Sequence, residues 1–304
     1  MDHSGPVESG VAVWRTQGWR DQAVGWLDER LAAAGARRVG QIEEPRVRPW
    51  STVFAAPTTA GRVWFKAMGP DTAFEAGLYE VLHPVVPDRV LTPIATDRER
   101  GWIVLPDGGP TLPDGAALPD FLARYGQLQR DLAPHVDALL AAGVADMRPA
   151  ILPARFAEAL RLIDGVPESI AALAPEVADW CARLAASAVP ASIDHNDLHA
   201  GNVLPDGRFY DWGDSVVAHP FASLLVPLSM LPEAARAGAV DAYLEPFTDL
   251  GTRAELRDDL ELACRVGKIA RALVWHRAVA AAPSDFADAP LATLVALAKP
   301  SFTD

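Results

Sequence analysis

Residues 106–115, PDGGPTLPDG, interrupt the chain with more glycine and proline than the interior of a helix or strand accepts. This segment predicts a linker between two folding units. Short β-type runs precede it, whereas apolar residues at helical spacing dominate after it. We therefore expect an α+β fold with an N-terminal lobe of residues 1–105, a linker at 106–115 and a mainly helical C-terminal lobe of residues 116–304.

An antiparallel sheet is expected in the N-terminal lobe. The runs STVFAA (51–56) and RVWFKA (62–67) flank PTTAG, whose proline and glycine favour a hairpin turn. WIVL (102–105) has the pattern of a buried strand. Tryptophan and leucine recur at spacings of three and four over 14–34, which predicts a helix whose tryptophans pack against the lobe. A shorter helix is predicted over 74–82.

Helices are predicted over most of the C-terminal lobe, and one island of strand and turn residues interrupts them. The island covers residues 190–216 and contains three β-type runs, SID, NVL and RFYDW. The predicted helices are 118–142, 153–164, 167–187, 232–246, 254–281 and 286–298.

Charge and cysteine content argue against several classes of protein. With 27 basic and 40 acidic residues the net charge is -13, the opposite of what nucleic-acid or anionic-membrane binders normally carry. The sequence starts without a signal-peptide pattern and contains no long apolar run. Cys181 and Cys264 are too far apart for a cysteine zinc motif and fit reduced thiols. We expect a cytoplasmic protein with no nucleic-acid or membrane partner; nothing in the sequence signals an oligomeric state.

The island carries a pattern that suits phosphoryl transfer. HNDLHAGN, from His195 to Asn202, follows HxDLxxxN, and DWG begins nine residues later at Asp211. Enzymes of this chemistry mainly position groups and neutralise the charge of the transferred phosphoryl group. Asp197 suits the carboxylate beside an acceptor hydroxyl. The amide oxygen of Asn202 and the carboxylate of Asp211 suit a magnesium ion.

A turn is predicted to bring these two motifs together. Asp206 and Gly207 favour a hairpin between NVL and RFYDW, which would return Asp211 to Asn202. We expect His195 to hold the loop by hydrogen bonds rather than to act on a substrate. Asp214 is expected to support the loop or to contact the substrate.

These segments resemble the aminoglycoside phosphotransferase family, the small-molecule branch of the protein-kinase-like fold. DLHAGNVL, from Asp197, looks like its catalytic loop, and DWGD, from Asp211, looks like its metal-binding turn. The resemblance is close over 190–216, fair over 50–110 and architectural elsewhere. It implies a two-lobed protein-kinase-like fold, ATP with Mg²⁺ as phosphoryl donor, and a small hydroxylated acceptor such as an aminoglycoside, amino sugar or amino alcohol.

The resemblance also implies nucleotide-binding residues in the N-terminal lobe. Lys66 resembles the lysine that contacts the α- and β-phosphates, and a glutamate of the following helix should pair with it. Glu75 is favoured over Glu80 because it lies early in the apolar-striped helix. Val104 and Leu105 would belong to the strand whose backbone meets the adenine.

The sequence departs from the protein-kinase pattern in two places. GxGxxG is missing, and RPWST (48–52) stands in its place, so backbone amides there or the hydroxyls of Ser51 and Thr52 are expected to cover the phosphates. His199 stands where protein kinases carry a lysine, two positions after Asp197. This histidine, assigned to the catalytic loop, contacts a phosphate or supports the loop, and it favours a small acceptor over a protein.

Alternatives remain for function and acceptor. A nucleotide-binding pseudokinase that regulates a partner is the rival function, whereas a protein kinase is disfavoured because no APE segment follows Asp211. The net charge is compatible with a cationic acceptor. The acidic run Asp258, Asp259 and Glu261 is a candidate site for it, although a solvated helix face is the more ordinary explanation of such a run.

Lysine and asparagine are rare in this chain. It has three lysines and two asparagines, and both asparagines lie in the loop from His195 to Asn202. The motifs account for Lys66 and Asn202. They assign no role to Asn196, Lys268 or Lys299.

Overall fold

The computed structural model describes residues 10–113, 117–280 and 285–301. The chain divides into two compact units. The first holds the described residues of Met1–Tyr79, Thr92–Asp107 and Arg277–Ala287, and the second holds those of Glu80–Leu91, Gly108–His276 and Asp288–Asp304. The boundaries that the sequence predicts around 106–115 stay a prediction, and residues 114 and 115 lie outside the described residues.

A five-stranded antiparallel sheet with the order β1-β2-β3-β5-β4 forms the first unit. The predicted hairpin is confirmed, but each strand is longer than expected, so that only Thr59 and Ala60 remain as the turn. The predicted strand at 102–105 is confirmed as well. The strands are β1 (Arg46–Val47), β2 (Ser51–Thr58), β3 (Gly61–Met68), β4 (Ala95–Asp97) and β5 (Trp102–Pro106).

The helix predicted over 14–34 is α2 (Gln17–Ala33), and Trp14 instead ends a short helix that precedes it, α1 (Gly10–Trp14). Thr16 separates them, because its hydroxyl accepts the Trp19 N–H and caps the second helix. Trp26 packs edge-on against Phe65 of β3, with ring centroids 6.0 Å apart. The predicted packing role of the tryptophans is confirmed. A third helix, α3 (Phe74–Val85), follows the hairpin.

Helices dominate the second unit. The predicted helices 118–142 and 167–187 are each split, since Pro134 and Pro175 lack the N–H that helix continuation needs. The helices are α4 (Pro119–Leu132), α5 (Val136–Ala141), α6 (Leu152–Leu162), α7 (Glu168–Ala171), α8 (Ala174–Ala185), α9 (Leu225–Met230), α10 (Glu233–Leu244), α11 (Arg253–Ala280) and α12 (Ala289–Val295).

The second unit also contains a small sheet of three strands. It consists of β6 (Ala145–Asp146), β7 (Ser192–Asp194) and β8 (Val216–Ala218), in the order β6-β8-β7. SID therefore forms a strand, as predicted. NVL and RFYDW do not: a tight turn at Gly207, with φ 83°, joins them, and a single bridge between Val203 and Phe209 replaces the expected ladder.

None of the helices that the structure describes has the length and hydropathy needed to span a lipid bilayer.

Candidate active site

Asp197 lies just beyond the end of β7, where the side chains of Arg271 and His199 contact its carboxylate. Its Oδ1 accepts a hydrogen bond from Arg271 Nη2 at 3.1 Å, and its Oδ2 lies 3.4 Å from His199 Nε2. The side chain is 29% exposed, so one part of the carboxylate remains open to solvent. The structure thus orients both oxygens of the predicted catalytic carboxylate.

The surroundings keep Asp197 ionised. Partial burial opposes ionisation, but the hydrogen bond from His199 and the charge of Arg271 outweigh it and lower the pKa of Asp197 to about 2. A carboxylate of this kind accepts hydrogen bonds well and is a weak base. It is suited to orient a hydroxyl rather than to remove its proton before the reaction begins.

His199 supports the loop through both ring nitrogens. Nδ1 accepts the Gly201 N–H at 3.0 Å, which caps the short 3₁₀ turn Ala200–Asn202. Nε2 faces Asp197, and their hydrogen bond raises the pKa of His199. A Cβ at position 201 would lie 2.7 Å from His199 Cε1, so glycine is needed for this close approach. The phosphate contact proposed for His199 stays a prediction.

Asn202 is buried, and its amide group has a fixed direction. Nδ2 donates to the main-chain carbonyl of Asp197 at 2.9 Å. Because the nitrogen is used inside the loop, the side-chain oxygen is the atom that Asn202 can offer to a cation. This arrangement suits the metal-binding role that the sequence predicts.

Tyr210 connects the catalytic loop to the DWG turn. Its N–H donates to the carbonyl of Asn202 at 3.2 Å, and its hydroxyl donates to the carbonyl of Gly201 at 2.5 Å. Asp211 follows directly, in the left-handed conformation with φ 62° and ψ 60°. The structure therefore brings Asp211 next to the Asn202 loop, as the predicted turn between the motifs requires.

His195 also stabilises the connection between the catalytic loop and the DWG turn. It is completely buried, and burial lowers the pKa of His195 despite the opposing charges of Asp197 and Asp211. The neutral ring donates from Nε2 to the carbonyl of Tyr210 at 3.0 Å and packs against Trp212. These contacts agree with the predicted loop-holding role. Asp214 ends the short turn Trp212–Asp214, and its role stays a prediction.

The donor set fits a magnesium ion. The amide oxygen of Asn202 and the carboxylate of Asp211 are hard oxygen ligands, which Mg²⁺ prefers. Among the described residues, no cluster of three or more histidine, cysteine, aspartate or glutamate side chains could hold a metal alone.

In the first unit, Lys66 of β3 pairs with Glu75 near the start of α3. Lys66 Nζ lies 2.5 Å from Glu75 Oε2, and the glutamate side chain is only 1% exposed. Glu80 lies on an exposed position of the same helix. The structure thus pairs the lysine with the glutamate that the sequence favoured.

The other residues assigned to nucleotide binding lie in the sheet of the first unit. Ser51 and Thr52 begin β2 and are both buried, and the Arg48 N–H closes the preceding loop on the carbonyl of Ser51 at 2.8 Å. In β5, Val104 is buried and its carbonyl accepts the Ile94 N–H, while Leu105 pairs with Trp64 of β3. Their nucleotide contacts stay predictions.

Sequence reasoning missed Arg271, whose guanidinium donates a hydrogen bond to the Asp197 carboxylate. It stands on α11, 74 residues after its partner, and nothing in the local pattern singles it out from the other arginines. The sequence pattern assigns Tyr210 only to a β-type run. A signal existed for Tyr210, since it directly precedes the proposed metal ligand Asp211.

The acidic run on α11 lies away from Asp197. Asp258 stands thirteen residues before Arg271, which corresponds to about 20 Å along a helix. Asp259 accepts a hydrogen bond from the Ser187 hydroxyl at 2.5 Å, and Glu261 accepts the Ser301 N–H at 2.6 Å. Because two of the three carboxylates have structural partners, the run does not support a cation site beside the reacting group.

A comparison with protein families matches residues 66–258 to the phosphotransferase enzyme family, APH. The chain belongs to this family. The matched region contains Lys66, Glu75 and both motifs of the island, and it covers more than half of the chain. The chain is therefore a phosphotransferase. A search among curated proteins finds no significant match.

Solved structures share the fold. A type I macrolide 2′-phosphotransferase has a TM-score of 0.61 at 16% identity, covering 92% of this chain and 97% of its own. A choline/ethanolamine kinase family protein from Mesorhizobium loti has a TM-score of 0.61 at 20% identity, covering 91% and 95%. APH(2″)-IIia, in a complex with GDP and kanamycin, has a TM-score of 0.56 at 13% identity, covering 86% and 92%. The predicted protein-kinase-like fold is confirmed.

Proposed function

We propose that this phosphotransferase moves the γ-phosphate of ATP, with Mg²⁺, to a hydroxyl group of a small molecule. The observation that carries the proposal is the Asp197 carboxylate, held ionised between Arg271 and His199 and hydrogen-bonded through its main chain to Asn202. A fixed carboxylate next to oxygen ligands is what phosphoryl transfer to a hydroxyl needs.

Asp197 is proposed to accept a hydrogen bond from the acceptor hydroxyl and so to aim its oxygen at the γ-phosphorus. With a pKa of about 2, it takes the proton only as the new bond to phosphorus forms. This timing matches a loose transition state, in which bond formation to the attacking oxygen is late. Orientation would then be the larger part of its contribution.

Neutralisation of charge is assigned to separate groups. Lys66, fixed by Glu75, is proposed to contact the α- and β-phosphates. Asn202 and Asp211 would hold the Mg²⁺. When bound, the ion supplies positive charge to the phosphate oxygens.

The proposed acceptor is a hydroxylated small molecule, such as an aminoglycoside, amino sugar, macrolide or amino alcohol. Macrolide, kanamycin and choline/ethanolamine appear in the names of proteins with this fold, each between 13% and 20% identical to this chain. The total charge of -13 is compatible with a cationic acceptor. The acidic run from Asp258 to Glu261 does not strengthen that choice, because of its distance along α11.

An assay for the release of nucleoside diphosphate tests the proposal. The assay combines an acceptor panel with ATP or GTP, with and without Mg²⁺. Asp197→Asn should lower turnover about 10³-fold while nucleotide affinity changes less than about twofold, since it removes the group that orients the hydroxyl. Asp249→Asn, an exposed aspartate paired with Arg130, is the matched control and should retain activity.

Two outcomes would contradict the proposal. Turnover by Asp197→Asn at the wild-type rate would remove Asp197 from the reaction. Tight nucleotide binding by the wild type without transfer to any acceptor would favour a nucleotide-binding pseudokinase that regulates a partner.

A further inference from the structure

Arg271 donates two hydrogen bonds to the segment that contains Asp197. Its Nη1 donates to the main-chain carbonyl of Asn196, and its Nη2 donates to Asp197 Oδ1 at 3.1 Å. Its side chain is only 15% exposed. A planar guanidinium can hold two acceptors in one fixed geometry, which the single ammonium of a lysine does not match.

The contact falls on a backbone conformation that needs support. Asn196 has a φ of 61°, a left-handed conformation that costs energy for residues other than glycine. Its N–H donates to Asp194 Oδ1 at 2.8 Å, while its carbonyl accepts from Arg271. The residue is thus held at both of its main-chain polar groups. Its side-chain Nδ2 is buried and finds no acceptor among the described residues.

Asp194 and Arg271, which bond to the main chain of Asn196, have further contacts of their own. Asp194 is buried at the end of β7 and accepts a hydrogen bond from the Ser223 hydroxyl at 2.7 Å. The guanidinium of Arg271 lies 5.3 Å from the ring of Trp275, one turn further along α11. The strand and the long helix therefore meet at the peptide that precedes Asp197.

We propose that Arg271 is a positioning residue, which fixes the Asn196 turn and the rotation of the Asp197 carboxylate so that α11 sets the direction of the oxygen offered to the acceptor. The structural part of this inference depends on the contacts alone. Its consequence for turnover rests on the proposed function.

Hydrogen exchange measured by mass spectrometry tests the structural part. In Arg271→Met, the amides of residues 194–199 should exchange about tenfold faster than in the wild type, because two charge-assisted hydrogen bonds are lost. Arg257→Met is the control on the same helix: Arg257 is half exposed and pairs with Asp241, so its removal should leave this segment unchanged. Unchanged exchange in Arg271→Met would overturn the inference.

Kinetics test the consequence. Arg271→Met should lower kcat about 100-fold with the KM for nucleotide changed less than about twofold, since the damage concerns the alignment of the acceptor. Arg271→Lys should recover only part of the loss, and millimolar guanidinium should raise the rate of the Met variant. If Arg271→Met melts well below the wild type, hydrogen exchange and kinetics are both measured on Arg271→Lys instead. Wild-type kcat in either variant would overturn the positioning role.

The two proposals fail in different ways. A wild-type protein that transfers phosphate to no acceptor contradicts the proposed function, while the exchange of residues 194–199 still decides the role of Arg271. Conversely, an active wild type with an equally active Arg271→Met variant overturns only the positioning role.

Discussion

Lys66 Nζ and Glu75 Oε2 lie 2.5 Å apart, and the carboxylate has almost no contact with solvent. The pair joins the C-terminal part of β3 to the first turn of α3. A buried charge without its partner is costly, so each residue depends on the other. The pair therefore couples the placement of a proposed phosphate contact to the placement of a helix.

Removal of this carboxylate should affect both stability and nucleotide binding. Glu75→Gln keeps the size of the side chain but leaves the Lys66 charge unpaired, which should cost about 3 kcal/mol of unfolding free energy. Nucleotide affinity, measured by calorimetry, should fall about tenfold if the ammonium loses its direction. Glu80→Gln, on the exposed side of α3, should change neither quantity. Equal effects of the two substitutions would contradict the assignment of Glu75.

The hydroxyl of Tyr210 should influence the apparent affinity for magnesium. Tyr210→Phe removes the hydrogen bond to the Gly201 carbonyl, at a cost of about 1 kcal/mol. Since this bond ties Asp211 to the Asn202 loop, the Mg²⁺ concentration for half-maximal rate should rise several-fold. Asp211→Asn serves as the reference for a damaged metal site. An unchanged Mg²⁺ dependence in Tyr210→Phe, beside a changed one in Asp211→Asn, would refute the linking role.

Gly201 should not tolerate a methyl group. In Gly201→Ala, the new Cβ would lie 2.7 Å from His199 Cε1, so the ring must move and turnover should drop at least about tenfold. Gly238→Ala on α10 is the matched control: nothing lies within 4 Å of its Cβ, and it should stabilise the helix by about 0.5 kcal/mol without loss of rate. A normal rate in Gly201→Ala would show that the position of His199 is unimportant.

His219 should make the stability depend on pH. Burial lowers the pKa of His219 to about 3, from an ordinary value of 6.5. Below pH 6.5 the unfolded chain gains a proton that the folded chain refuses, so the stabilisation present above pH 6.5 is lost as the pH falls. Between pH 7.5 and pH 5 this loss amounts to about 2 kcal/mol.

Urea unfolding at these two pH values measures the effect. In His219→Asn, whose amide oxygen can replace Nδ1 as acceptor for the Phe221 N–H, the decrease in unfolding free energy should be smaller than in the wild type by that amount. Equal decreases in the two proteins would show that His219 accepts its proton in the folded state.

The features that the sequence predicted well are local. The HxDLxxxN pattern and the DWG turn lie within nineteen residues, from His195 to Gly213, and a glycine turn between them leaves few ways to close the loop. The hairpin of β2 and β3 is local in the same sense. The splits at Pro134 and Pro175 were not predicted, although a proline in the interior of a predicted helix removes a helical hydrogen bond and is a local signal for such a break.

The roles of two rare residues, Asn196 and Lys268, could not be inferred from composition or motifs. Asn196 had no assigned role, and the structure gives it a left-handed backbone conformation that asparagine tolerates better than most residues. Lys268 was equally unexplained. Its ammonium donates to the carbonyls of Ala296 and Lys299, so it fastens the C-terminal segment to α11. Both explanations require backbone geometry or contacts between distant segments.

By itself, the sequence indicated the family, the hairpin of β2 and β3, the helical character of the second half of the chain and the residues that carry the proposed chemistry, because each of these depends on patterns within a short stretch of chain. The tertiary structure alone decided which charges surround Asp197. Arg271 reaches it from 74 residues away, and the hydrogen-bond partners of His195 and Tyr210 are main-chain carbonyls, which the residue types do not identify. Long-range contacts of this kind depend on how β7 and α11 pack, and packing is a property of the whole folded unit.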